Sequence, residues 1–137
     1  GYTVLHHFPA ASTSDGQKPY GGVVRASDGK LYGTAFTGGA SSNGVVFKLN
    51  TDGSGYSVLY HFAGGASDGQ APYAGLLEAS DEVLYGTTYQ GGTSNAGTVF
   101  KLSKAGGPCT ILHSFTGGAS DGQNPYAALA EGAEKVL

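Results

Sequence analysis

Apolar and polar residues alternate along this chain in short runs. Tyr56, Val58, Tyr60 and Phe62 interleave with Ser57, Leu59 and His61, a period of two that sends successive side chains to opposite faces of a strand. Each run is bounded by clusters of Gly, Asn, Asp and Pro, the residues of tight turns. The pattern predicts strands at 56–62, 74–78, 83–89 and 97–102, and hence an all-β chain. The first of these has apolar groups on both faces, which predicts cover on both sides.

The pattern is periodic. YTVLHHF at 2–8 returns as YSVLYHF at 56–62 and CTILHSF at 109–115, so the first strand is expected from residue 2. SDGQKPY at 14–20 returns as SDGQAPY at 67–73 and SDGQNPY at 120–126, in steps of 53 residues. LYGT at 31–34 and GVVFKL at 44–49 recur 53 residues on, at 84–87 and, as GTVFKL, at 97–102. Such a period marks a repeat architecture. Repeat 1 is read as 1–55, repeat 2 as 56–108 and the first half of a third as 109–137, together one array domain. The third copy reaches Val136 and Leu137, which align with Val83 and Leu84, inside the expected third strand. Asp28-Gly29 fits a hairpin turn that needs positive φ, and Asp81-Glu82 stands in its place in the second copy.

A four-stranded antiparallel unit of this size is β-propeller-blade-like, stacked face to face on its neighbours; a β-solenoid-like stack is the alternative. LYGTAFTGGASSNGVVFKL and LYGTTYQGGTSNAGTVFKL, followed by YSVLYHF and SDGQAPY, resemble the Gloeobacter/Verrucomicrobia repeat of secreted bacterial proteins, over essentially the whole chain. The resemblance implies an extracellular location, many tandem repeats and a propeller-like fold, with no shared catalytic activity. Two and a half copies fall short of the roughly four to eight blades of a ring. Exposed faces and edges are therefore expected to be completed by further repeats of the same chain or by other copies, as a ring or filament. The recurring aromatic residues are assigned to inter-repeat or assembly contacts: Tyr2, Phe8, Tyr20, Tyr32, Phe47 and Tyr56, with Phe62, Tyr73, Tyr85, Phe100, Phe115 and Tyr126.

Composition narrows the partners. The chain has 137 residues with 25 Gly, 9 Tyr, 6 Phe and only 12% charged residues, too aromatic for disorder and too rich in Gly for a helical bundle. A net charge of −3, with Lys and Arg dispersed, gives no stripe for nucleic acid. No apolar run is long enough for membrane insertion as a helix. Cys109, the single cysteine, excludes an intramolecular disulfide, a CxxC pair and a zinc cluster, and reads as a small core filler.

Candidate chemistry is sparse. Asp15, Asp68 and Asp121 recur beside a Gly and are weak calcium candidates; the competing reading is an Asx-type turn, with Gln17, Gln70 and Gln123 tying adjacent units. Adjacent His6 and His7 point to opposite strand faces, which argues against a shared metal. Glu78, Asp81, Glu82, Glu131 and Glu134 read as turn charges rather than a hydrolytic pair. The Gly-Gly pairs lack the helix and Lys of a phosphate loop, and no serine nucleophile elbow occurs. Tyr20, Tyr73 and Tyr126, with Tyr32 and Tyr85, suit either inter-repeat packing or sugar stacking. No catalytic residue or required cofactor is assigned. The chain is expected to be a non-enzymatic extracellular structural protein that self-assembles head to tail. The alternative is part of a larger propeller that recognises a glycan or a protein.

Overall fold

The computed structural model describes residues 1–11 and 13–134; the expected break at Val136 and Leu137 lies outside them. Among the described residues every regular element is a strand: β1 (Gly16–Gln17), β2 (Val24–Arg25), β3 (Leu31–Ala35), β4 (Thr37–Gly38), β5 (Val45–Leu49) and β6 (Ser57–His61). The same set follows as β7 (Gly69–Gln70), β8 (Leu77–Glu78), β9 (Leu84–Thr88), β10 (Gln90–Gly91), β11 (Thr98–Leu102) and β12 (Thr110–Ser114). They form two four-stranded antiparallel sheets, β2-β3-β5-β6 and β8-β9-β11-β12, and two small ribbons, β1-β4 and β7-β10.

Each sheet takes its fourth strand from the following copy of the repeat. β5 runs through a turn closed by Asn50 N–H to Ser54 C=O at 2.8 Å and folds back as β6, because antiparallel neighbours need only a short link. Sequence period and sheet are thus offset by one strand. The counterpart of β6 in the first copy, at 2–8, pairs with no strand among the described residues and forms none. The strand expected from residue 2 is corrected accordingly, and Tyr2 is 93% exposed.

A second correction concerns facing. Val46 opposes Tyr60 while Phe47 opposes Val58, so Leu59 is the extra residue of a β-bulge. The bulge reverses the side-chain phase. Tyr56 and Val58 pack with Phe47 and Leu49 on the outer face of the first sheet, while Leu59 and Tyr60 join the core between the sheets. Leu112 occupies the same bulge in β12.

The main core lies between the sheets. Tyr32 and Val46 from the first meet Leu84, Phe100 and Leu102 from the second, with Phe62 fully buried among them. The two sheets therefore stack face to face. The Tyr-Gly-Thr motif has a packing reason: a Cβ on Gly86 would lie 2.6 Å from Phe100 Cζ, and one on Gly33 the same distance from Phe47 Cζ. Each Gly clears a slot for the ring of the neighbouring strand.

Candidate functional site

The recurring Asp binds its own loop together. Asp68 accepts from the N–H groups of Gly69 at 2.8 Å and Ala63 at 2.7 Å, and from the Tyr60 hydroxyl at 2.9 Å. Asp121 accepts from Thr116 and Gly122 N–H at 2.9 and 2.8 Å and from the Thr116 hydroxyl, with His113 Nε2 at 3.2 Å. Asp15 is held by Gly16 N–H, the Tyr56 hydroxyl and His6, whose ring stacks on Tyr56 at 3.6 Å. These carboxylates face N–H and O–H donors, whereas calcium needs an all-oxygen cage of acceptors. Among the described residues, no group of three or more His, Cys, Asp or Glu is arranged to hold a metal ion. Gln70 donates to Gln90 across its own ribbon at 3.3 Å.

A second set of contacts joins successive units. Ser27 donates its N–H and hydroxyl to Glu78 at 2.7 and 2.8 Å, and Ser80 does the same to Glu131 at 3.0 and 2.7 Å. Thr34 donates to Ala74 C=O and Thr87 to Ala127 C=O. Ala71 N–H bonds Asn43 C=O, and Asn124 N–H bonds Ala96 C=O. Lys104 adds an ion pair to Glu78 at 2.5 Å. Burial alone would raise the Glu78 carboxyl, but the bonds from Lys104 and Ser27 outweigh it and hold it below its usual range. Burial, then the Asp68 charge, pushes the Cys109 thiol up to about 12, so it is an inert filler of the inter-sheet core.

The third feature is an aromatic row. Lys18, Ala71 and Asn124 take positive φ, 57°, 57° and 51°, directly before Pro19, Pro72 and Pro125. The turn drives each of the last two prolines onto a glycine of the preceding unit. A Cβ on Gly44 would lie 2.5 Å from Pro72 Cδ, and one on Gly97 2.6 Å from Pro125 Cδ. The Tyr after each Pro is thereby projected at a junction between units. Tyr20 lies 5.1 Å from Tyr73, and Tyr73 5.1 Å from Tyr126. Phe36 sits 5.4 Å from Tyr20 and 5.9 Å from Tyr73, and Tyr89 lies 4.9 Å from Tyr126. The three tyrosines remain 53%, 37% and 59% exposed. The hydrogen bond with Tyr89, then burial, holds the Tyr126 phenol above its ordinary value.

The other aromatic residues assigned from sequence go elsewhere. Tyr32 and Tyr85 bury their rings and donate their hydroxyls to Asp28 and Asp81, both at 2.8 Å. Phe62 and Phe100 meet at 5.2 Å in the inter-sheet core. Phe8, Phe47 and Tyr56 cluster on the outer face of the first sheet, and Phe115 stacks edge-on against His113. Sequence reasoning missed Phe36 and Tyr89 as members of the row. Their signal was aromatic character kept exactly one period apart, between the third strand and the Gly-Gly pair. It missed the Ser–Glu clasp too, although Ser27 and Ser80, like Glu78 and Glu131, are 53 residues apart.

Among the described residues no helix is long and apolar enough to cross a membrane. A sequence profile of the Gloeobacter/Verrucomicrobia repeat matches residues 1–137. No curated protein and no solved structure matches the chain significantly.

Proposed function

Since the chain belongs to the Gloeobacter/Verrucomicrobia repeat family, we propose that it is a non-enzymatic, extracellular binding module within a larger array of blade-like sheets. The observation that carries this reading is the recurrence of one contact set at two successive junctions. Ser-to-Glu, Thr-to-carbonyl, amide-to-carbonyl and proline-on-glycine contacts all repeat with the period of the sequence. A junction that repeats is one that further units extend, with each unit burying its surface on the next. The polar side chains of the repeat are used in these clasps and in the Asp loops, which suits a scaffold. The tyrosines of the aromatic row at 20, 73 and 126 are left facing solvent, which suits contact with a partner.

Negative-stain microscopy and light scattering of a chain lengthened by further repeats test this. Discrete particles of fixed size, each one chain, are the expected result. A second reading is head-to-tail association of separate chains, favoured by an apolar cleft of about 150 Å³ on the outer face of the first sheet, lined by Leu5, Phe8, Val23, Leu31, Phe47 and Leu49. Open-ended polymers whose length grows with concentration would replace the first reading with the second.

A further inference from the structure

We propose that the row Tyr20, Phe36, Tyr73, Tyr89 and Tyr126 is a binding site for an uncharged polysaccharide chain. The inference rests on the scaffold reading above and names the partner of its exposed tyrosines. A run of ring contacts between 4.9 and 5.9 Å links all five residues. Tyr20, Tyr73 and Tyr126 are exposed and Phe36 and Tyr89 half-buried, and clustered exposed aromatic surface of this kind marks an interaction site.

Three properties of the row select its ligand. It is amphipathic: tyrosines combine an apolar ring face with a hydroxyl, matching a sugar, which has C–H faces and a hydroxyl rim. It is neutral, since none of its five side chains carries a charge. The position before the recurring Pro is Lys18, Ala71 and Asn124 in turn, so no charge repeats beside it. A single-stranded nucleic acid would require a basic groove along the same path. The row is also periodic, one Tyr per repeat with neighbouring rings 5.1 Å apart at both steps, tilted by 35° at the first and by 86° at the second, which offers one contact per repeat to a polymer of identical units.

Its tyrosines lie outside the strands, each directly after the recurring proline, and Pro72 and Pro125 seat on Gly44 and Gly97 of the preceding unit. A further unit with the same junction adds a further Tyr to the row. Each added Tyr brings a further contact to the same polymer, so affinity rises with ligand length.

Isothermal titration of the folded chain with neutral hexasaccharides (cellohexaose, xylohexaose and chitohexaose) tests the proposal, with a hexagalacturonate and a proline-rich peptide alongside. At least one neutral hexasaccharide is expected to bind, more tightly than its trisaccharide and with little dependence on salt. Tyr73→Ala and, separately, Tyr126→Ala should each weaken binding about tenfold, while Tyr73→Phe keeps most of it. Leu112→Ala, an exposed change on β12 away from the row, should leave it unaltered. Binding only of the acidic sugar, only of the peptide, or of none overturns the proposal, as does neutral-sugar binding that survives both alanine variants. Melting curves separate the two levels: failure of the parent chain to unfold cooperatively sinks the scaffold reading, whereas a cooperative melt without sugar binding sinks this inference alone.

Discussion

At the loop between the two sheets, Tyr60 donates to a buried Asp68 and Phe62 has no exposed surface. At the loop beyond the second sheet, His113 stands in Tyr60's place beside a half-buried Asp121, and Phe115 is half-buried too. The backbone hardly differs: Gly64 N–H bonds Gly69 C=O and Gly117 N–H bonds Gly122 C=O, both at 3.1 Å. Loop geometry is thus written in the local sequence, by a carboxylate that gathers nearby N–H groups. What the motif contributes to stability is set by the unit packed over it.

The largest test of that contrast is truncation of its two phenylalanines. Phe62→Ala should cost about 4 kcal/mol, since it empties a fully buried ring site. Phe115→Ala should cost about 1 kcal/mol, because water already reaches that ring. Urea denaturation of the two variants measures both, and equal losses would break the comparison. Next comes Tyr60→Phe, expected to cost about 2 kcal/mol by leaving a buried carboxylate short of a donor. Replacing His113 with Phe should cost less than half as much, as water replaces the lost partner.

Smaller still is the effect at the hairpin turns. Glu82 holds φ at 61° where Gly29 holds 79° in the first copy, and a side chain there is strained. Glu82→Gly should stabilise the chain by about 0.5 kcal/mol, the relief of strain offset in part by glycine's unfolded-state entropy. Its contact with Lys104 is long, at 3.7 Å, and exposed on the Glu82 side, so it contributes little. The smallest effect is on pH dependence. The Thr116 N–H bond, with those of Gly122 and the Thr116 hydroxyl, outweighs burial and holds Asp121 below its ordinary value. Its stabilising contribution is therefore present above the unfolded carboxyl value and lost as pH falls through the lowered folded one. Carboxyl NMR should find Asp121 titrating low, and Asp121→Asn should flatten that part of the acid-stability curve.

Much of this structure was legible from pattern alone. The strands read at 56–62, 83–89 and 97–102 became β6, β9 and β11, and that at 74–78 shortened to β8. Two-residue ribbons such as β7-β10 escaped because two residues carry no alternation. The Leu59 bulge was hidden by apolar residues on either side, so the alternation reads unbroken through it. Sheet membership escaped as well, because no local signal says that β6 pairs backwards with β5. At the candidate site, the tyrosines after each proline were visible as a periodic set. Their junction with Phe36 and Tyr89 was not, since it depends on Pro72 seating against Gly44, a contact across 28 residues.

Thermal unfolding of this chain beside chains lengthened by one and by two further 53-residue units tests the central claim most directly. If the clasped junction between the sheets is a repeating element of an array, each unit covers the loop before it. The melting temperature should then rise with every unit added, within one cooperative transition. A melting temperature independent of unit number, or separate transitions for separate units, would contradict the account.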